Sequence, residues 1–352
     1  MELDLSLAAP VLTAQLVDVE SVSGNEKPLA DAIDAALRRL PHLTVHRDGN
    51  ALIARTSLGR EQRVVLAGHI DTVPVADNVP SHVERDVLYG CGSCDMKSGV
   101  AVQLRLAAQV PDPRVDLTFV FYDCEEVESE RNGLRRVSRN SPGLLAADLA
   151  VLMEPTGGVV EGGCQGTMRA EVRTRGRRAH SARSWMGVNA IHEAGGILDV
   201  LRAYQAREPE VDGLTYREGL NAVLISGGVA SNVIPDECVV TINHRFAPDR
   251  SAADAEAHVR SVFDRWQVEV TDVATGARPG LSLPAAASFV SAVGGTPRAK
   301  LGWTDVARFA ALGIAAVNYG PGDPQFAHRA DEHVPLADIA ECESRMLAWL
   351  AG

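Results

Sequence analysis

Val64-Val65-Leu66-Ala67-Gly68-His69-Ile70-Asp71 is an apolar run that ends on a histidine and, two residues on, an aspartate. A run this short and this uniformly apolar predicts a strand buried on both faces, as in a parallel sheet covered by helices. The pattern recurs in Leu117-Thr118-Phe119-Val120-Phe121-Tyr122, which leads into Asp123-Cys124-Glu125-Glu126, and in Leu149-Ala150-Val151-Leu152-Met153, which leads into Glu154. Strands that each deliver ligand or acid–base side chains at their carboxyl ends predict an α/β fold. Its central sheet is expected to be mostly parallel, with the functional site at that edge.

A chain of 352 residues exceeds one ordinary core, so two domains of unequal size are expected. Helical periodicity covers Leu7 to Val19, Lys97 to Val110, Asp305 to Leu312 and Leu336 to Leu350. Ser23-Gly24-Asn25-Glu26 reads as a capping box opening a helix with Leu29, Ile33, Leu37 and Leu40 on one face. From about Thr167 to Val273 the texture changes to alternating strands (Met168 to Thr174, Val239 to Phe246, Val268 to Val273) with helices over Asn189 to Ala206 and Ala252 to Phe263. This predicts an inserted α+β domain over 167–273, flanked by the two parts of a catalytic domain, 1–166 and 274–352.

Composition narrows the classes. Hydrophobic residues at 46% with 23% charged exclude disorder, and no apolar run approaches the roughly 20 residues that span a bilayer. Met1-Glu2-Leu3-Asp4 lacks the basic and apolar segments of a secretory signal, so a cytoplasmic protein is expected. A net charge of −12 argues against nucleic acid or an anionic membrane as partner, while leaving room for a local basic site for a small anionic substrate. The six cysteines are scattered. Cys91-Gly92-Ser93-Cys94 lacks a second ligand pair at similar spacing, which favours free thiols over a structural zinc site.

Candidate chemistry sits at the strand ends. His69 and Asp71, two apart on an extended segment, point to one face, where His69 can bind metal and Asp71 can accept its other ring N–H. Asp95 stands at a loop-to-helix junction, as a bridging carboxylate or simply an N-cap. Adjacent Glu125 and Glu126 repel unless cations or a shared proton compensate, although alone they also read as solvated surface acids. Glu154 follows a fully apolar strand, so its burial without a cation is expensive. His328 lies in the turn-rich Gly320-Pro321-Gly322-Asp323-Pro324-Gln325-Phe326-Ala327-His328. Two histidines and three carboxylates can hold two divalent cations about 3.5–4 Å apart.

Gly68-His69-Ile70-Asp71-Thr72-Val73-Pro74, Asp95-Met96-Lys97-Ser98-Gly99, Glu125-Glu126, Glu154-Pro155 and Ala327-His328-Arg329-Ala330-Asp331-Glu332 together resemble the aminoacylase and carboxypeptidase group of co-catalytic zinc amidohydrolases. The resemblance runs from about residue 10 to the C-terminus. It implies a zinc-peptidase-like catalytic domain interrupted by a lid that also dimerises. It implies further that His69 and Glu154 hold one metal ion, that Glu126 and His328 hold the other, and that Asp95 bridges them. Zinc is the expected ion, with cobalt or manganese as alternatives. Asp71 would orient His69, and Glu125 would be the general base acting on a metal-bridging water. One departure is Gly90-Cys91-Gly92, where the group commonly has Gly-Arg-Gly.

Within the group, Gly176 to Ile191, Gly227 to Pro235 and Leu301 to Asp305 resemble most the desuccinylases that act on N-succinyl-LL-2,6-diaminopimelate. That resemblance makes His180 an oxyanion donor to the partner subunit, and it makes Arg245, Asn232 and Thr304 substrate-binding residues. A small anionic N-acyl amino acid is the expected substrate. Arg169, Arg173, Arg175, Arg177, Arg178 and Arg183 point to an anion site too, unless they line the wet face of one strand. Related deacylases of acetylornithine or acetyl-lysine, and dipeptidases or carboxypeptidases, share these metal motifs. A non-catalytic metal-binding protein would lack the proton acceptor Glu125 or some ligands, and neither is missing.

Overall fold

The computed structural model describes residues 2–351. The chain divides into two compact units. The larger comprises 2–162, Pro279–Arg298 and 308–351, and the smaller comprises Gly163–Arg278 and Ala299–Ala307. The segment Ala299–Ala307, which carries Thr304, thus packs with the smaller unit, although sequence alone placed it in the flanking part.

The larger unit is built on a sheet of strands β1 (Thr44–Asp48), β2 (Ala51–Arg55), β3 (Arg63–His69), β4 (Asp116–Tyr122), β5 (Leu149–Leu152), β6 (Glu161–Gly162) and β7 (Ala315–Asn318). Their spatial order is β1-β2-β4-β3-β5-β7-β6. The β4–β3, β3–β5 and β5–β7 pairs are parallel, so the expected mostly parallel centre is present, with antiparallel strands added at the two flanks. Every residue of β4 and β5, and all of β3 after Arg63, is buried, which is why these runs carry no alternation. Helices Ala9–Val17, Lys27–Arg38, Ser98–Gln109 and Leu336–Ala351 supply the cover. Leu12, Leu16, Ile33, Leu37, Val102, Leu106, Ile339 and Met346 share one core with Leu66, Phe119 and Val151. Each large side chain so buried contributes roughly 1.5–3 kcal/mol.

The helix after Glu26 starts differently from the capping-box expectation. It runs Lys27–Arg38 with Pro28 in its first turn and no side-chain cap. The Ser23 hydroxyl instead donates to Asp71. Leu29, Ile33 and Leu37 form the buried stripe, while Leu40 lies past the helix end. Helix Pro284–Val293 was not legible in its alanine-rich sequence.

In the smaller unit an antiparallel sheet has the order Gly219–Gly227, Glu237–Phe246, Gly166–Arg175, Gln267–Ala274. Strict alternation of burial along Glu237–Phe246 marks a sheet with one covered face. Met168, Val172, Val240 and Ile242 pack there with Ile197 of helix Ala190–Ala203 and Val259 of helix Ala252–Val262. The edge strand Gly219–Gly227 escaped the sequence reading because most of it is exposed and it carries no two-residue rhythm. Among the described residues, no helix is long and apolar enough to cross a membrane.

One close approach fixes where the helix behind Asp95 sits. A Cβ on Gly99 would lie 2.1 Å from the Met153 carbonyl oxygen, so only glycine lets Ser98–Gln109 pack onto the end of β5. Gly99→Ala should therefore lower stability by about 1–3 kcal/mol, the cost of overpacking a tight contact. The urea midpoint measures this, and an unchanged midpoint would contradict the close packing.

Candidate active site

Parallel pairing brings three chain ends to one edge. His69 on β3 lies opposite Tyr122 of β4, and Ala67 lies opposite Leu152 of β5. The residues that follow, Asp71, Glu125, Glu126 and Glu154, are therefore delivered side by side, and the loop after β7 adds His328.

His69 is 1% exposed. Its Nδ1 lies 3.0 Å from the backbone carbonyl oxygen of Asp71, and its Nε2 lies 3.1 Å from Asp95 Oδ1. A carbonyl only accepts, so Nδ1 carries the hydrogen and the Nε2 lone pair faces a carboxylate. Two acceptors at that distance require a proton or a cation between them. Burial pushes the imidazole down, but the hydrogen bond with Asp95 and the charges of Asp71, Asp95 and Glu125 outweigh it and hold His69 well above its ordinary range.

Asp71 acts otherwise than its spacing implied. Its Oδ1 is 3.6 Å from His69 Nδ1, because the backbone carbonyl of the same residue lies closer to the ring. The carboxylate instead accepts from Ser23 Oγ at 2.7 Å and from the backbone N–H groups of Glu125 at 3.0 Å and Glu126 at 3.1 Å.

Asp95 lies in the irregular turn Ser93–Lys97. Its second oxygen, Oδ2, is 3.5 Å from His328 Nε2, which lies 2.7 Å from Glu126 Oε1. Hydrogen bonds with Asp95 and Glu126 push the His328 imidazole up to about 10. Burial would raise Asp95, yet its bonds to His328 and His69 hold it far below the usual carboxylate range. In both cases carboxylate oxygens face the imidazole Nε2, the atom that a divalent cation would compete for.

Ligand atoms lie within 4.8 Å of one another in the groups His69–Asp95–Glu154, Asp95–Glu126–His328 and His69–Glu125–Glu126. The first two share Asp95. This donor set of imidazole and carboxylate, partly buried and converging, fits divalent cations. Backbone conformation supports the convergence, because Cys124 (φ 57°) and His328 (φ 61°) take the left-handed region that non-glycine residues adopt only when surroundings enforce it.

Two neighbouring groups stood in the quoted motifs without a role. Glu332, 2% exposed, accepts the N–H groups of Gly92 at 3.0 Å, Cys94 at 3.0 Å and Asp95 at 2.9 Å, which pins the turn that presents Asp95. Burial pushes its carboxyl up to about 7. Lys97 is buried beside it, donates to the Val19 carbonyl at 2.8 Å, and is pulled down to about 8 by burial. Only the adjacency of Glu332 to the His328 motif signalled it. Cys91 and Cys94 are buried thiols outside any disulfide, whose sulfurs face the carbonyls of Val73 and Asp323.

Four expected site residues belong to the smaller unit. His180 is exposed, and its Nδ1 accepts the Ala182 N–H at 3.0 Å, which leaves the hydrogen on Nε2 in the neutral ring. Pairing of Ala179–His180 with Val233–Ile234 sets Asn232 beside it. Arg245 donates to Asn243 at 3.2 Å, and burial lowers its pKa. No carboxylate pairs with Arg245 among the described residues. Thr304 is 4% exposed. Of the arginines read as an anion site, Arg173 and Arg175 on the strand Gly166–Arg175 pair with Glu171 and Glu269 and with Glu237, and Arg178, just beyond it, pairs with Asp236. The wet-face reading therefore holds for Arg173 and Arg175, which alternation sets on the less buried side of the strand.

The chain is 58% identical over 344 residues, 97% of each chain, to a Mycobacterium tuberculosis protein provisionally named succinyl-diaminopimelate desuccinylase. It is 49% identical to the succinyl-diaminopimelate desuccinylase of Corynebacterium glutamicum, covering 99% of this chain and 98% of that one. The structure superposes on a tripeptidase from Staphylococcus aureus with a TM-score of 0.80 at 21% identity, covering 100% of this chain and 99% of that one. The peptidase family M20/M25/M40 matches residues 65–351. The family match over most of the chain, together with the identity to these relatives, shows that the chain belongs to the peptidase family M20/M25/M40.

Proposed function

We propose that this chain is a di-metal amidohydrolase that cleaves N-succinyl-LL-2,6-diaminopimelate to succinate and LL-2,6-diaminopimelate in lysine and diaminopimelate biosynthesis. The observation that carries the chemistry is the division of Asp95, whose Oδ1 faces His69 at 3.1 Å while Oδ2 faces His328 at 3.5 Å. The two relatives named as desuccinylases over nearly their whole length support the substrate.

His69, Asp95 and Glu154 would hold one ion, and Asp95, Glu126 and His328 the other. Zinc suits this mixed set, and cobalt or manganese would also bind. When bound, such a pair polarises the amide carbonyl and makes water nucleophilic at neutral pH. Glu125 takes the proton of the attacking water and passes it to the departing amine. Its neighbour Glu126 is committed to the metal side, and the N–H groups of both are held by Asp71. His180, with its hydrogen on Nε2, donates to the oxyanion. Arg245 receives a substrate carboxylate, and Asn232 and Thr304 add neutral hydrogen bonds.

The smaller unit, in this reading, is a lid that forms a homodimer and gives His180 to the partner subunit's centre. An edge strand whose Leu224 is 68% and Ile225 55% exposed supports that, as does Trp185 at 76% beside His180. A cytoplasmic location accompanies this role.

Hydrolysis of the succinyl substrate should exceed that of N-acetylornithine, N-acetyl-lysine and small dipeptides, and a chelator should abolish it. Preference for another amide would move the error to the lid residues and Arg245. Glu125→Ala should keep its metal, measured by elemental analysis, while kcat falls by roughly 10²–10⁴. Near-normal turnover would remove Glu125 from the proton role. For His180→Ala a drop of roughly 10²–10³ in kcat with metal content unchanged is expected, and loss of metal with intact residual rate would contradict the oxyanion assignment.

A further inference from the structure

The segment 21–26 precedes every metal-ligand candidate, yet it touches the turn that carries Glu125 from two sides. Ser21 Oγ donates to the Ile70 carbonyl at 2.7 Å, Thr72 N–H donates to the Ser21 carbonyl at 3.0 Å, and Ser23 N–H donates to the Thr72 carbonyl at 3.1 Å. A parallel bridge between Val22 and Thr72 completes this pairing, so the segment runs alongside the chain just beyond β3. From there Ser23 Oγ reaches Asp71 Oδ2 at 2.7 Å, and the Asp71 carboxylate accepts from Glu125 and Glu126 N–H. On the other side, Glu26 Oε1 accepts from Gly24 N–H at 2.6 Å and faces both the Cys124 N–H and its thiol at 3.3 Å. Cys124 is the residue with φ 57° immediately before Glu125.

Asp71 is 0% and Glu26 1% exposed. A buried carboxylate is tolerated where donors satisfy it, and the hydrogen-bond donors named above for both are chiefly backbone N–H groups of the turn at Cys124–Glu126 and of Gly24, together with the Ser23 hydroxyl and the Cys124 thiol. These two acids therefore serve as anchors for backbone and stand apart from the ligand groups around Asp95. Left-handed backbone at Cys124 costs on the order of 1–3 kcal/mol and persists only where the surroundings over-determine it.

We propose that Ser23 and Glu26 are positioning residues of the hydrolytic reaction, which clamp the Cys124–Glu126 turn through Asp71 and Cys124 and so set where the Glu125 carboxylate stands. This rests on the proton role given to Glu125 above. A general base must lie within hydrogen-bond reach of the proton it takes, and displacement of about 1 Å can cost on the order of 100-fold in rate.

The test is a double-mutant cycle on the metal-loaded full chain. Ser23→Ala should lower kcat about 10-fold or more with KM within about twofold, bound metal unchanged and the thermal midpoint little moved, and Ser23→Thr should recover most of the rate. In a Glu125→Ala background, Ser23→Ala should change the residual rate by less than about twofold, because the group it positions is gone. Glu26→Gln, which keeps an acceptor oxygen, should behave as a milder Ser23→Ala. Equal losses with and without Glu125, or a fall in kcat that tracks lost metal or lost fold, would overturn the proposal. Absence of amide hydrolysis by the unmodified chain would instead overturn the function on which it rests, and the two failures are thereby distinguished.

Discussion

Gathering Asp71, Asp95, Glu125, Glu126 and Glu154 at one sheet edge, with two of them fully or nearly fully buried, is the constraint to which the surrounding structure answers. Like charges this close destabilise one another unless each receives a donor or shares a cation. The structure meets the demand in two ways. Asp71 is satisfied by backbone N–H groups and a serine hydroxyl, and so behaves as part of the scaffold. Asp95 and Glu126 face the imidazoles of His69 and His328, an arrangement of acceptors that a proton or a divalent cation between them would satisfy. The cluster is thus divided between a carboxylate that anchors backbone and carboxylates that converge with imidazoles in a donor set able to hold divalent cations.

The parallel register explains why those groups meet at all. With β3 between β4 and β5, three consecutive apolar runs end at the same height, and each following residue enters the same space. That part was legible from sequence, because a strand buried on both faces leaves an uninterrupted apolar run and the first polar residues after it stand out. His69, Glu125, Glu126 and Glu154 were found this way. Asp95 and His328, on loops, were flagged by residue type and by a helix junction or a turn-rich context alone, since a loop side chain's destination is fixed by tertiary contacts.

What was misread has physical causes of equal clarity. Ser23 and Glu26 satisfy the spacing of a capping box, but a helix cap and a distant carboxylate compete for the same hydroxyl, and the buried charge of Asp71 is the stronger acceptor. For Asp71 itself, spacing by two residues correctly placed it near the His69 ring but could not tell carbonyl from carboxylate. The arginine run around the strand Gly166–Arg175 suggested an anion site, yet its acidic partners on the neighbouring strands, Glu237 and Glu269, become visible only once strands pair. Arg245, on the neighbouring strand Glu237–Phe246, is set apart from the exposed Arg169 and Arg175 by its burial, which lowers its pKa.

Glu332 carries an implication for how the molecule is made. It holds the turn bearing Asp95 through N–H groups as far as 240 positions earlier in the chain. During synthesis on the ribosome, residues 64–154 can pair into a sheet long before that carboxylate exists. Until the C-terminal segment is made, the acidic edge has an Asp95 turn without its Glu332 anchor, and because the same segment brings Val334, Ile339 and Met346 into the core, anchoring of the turn and completion of the core come together.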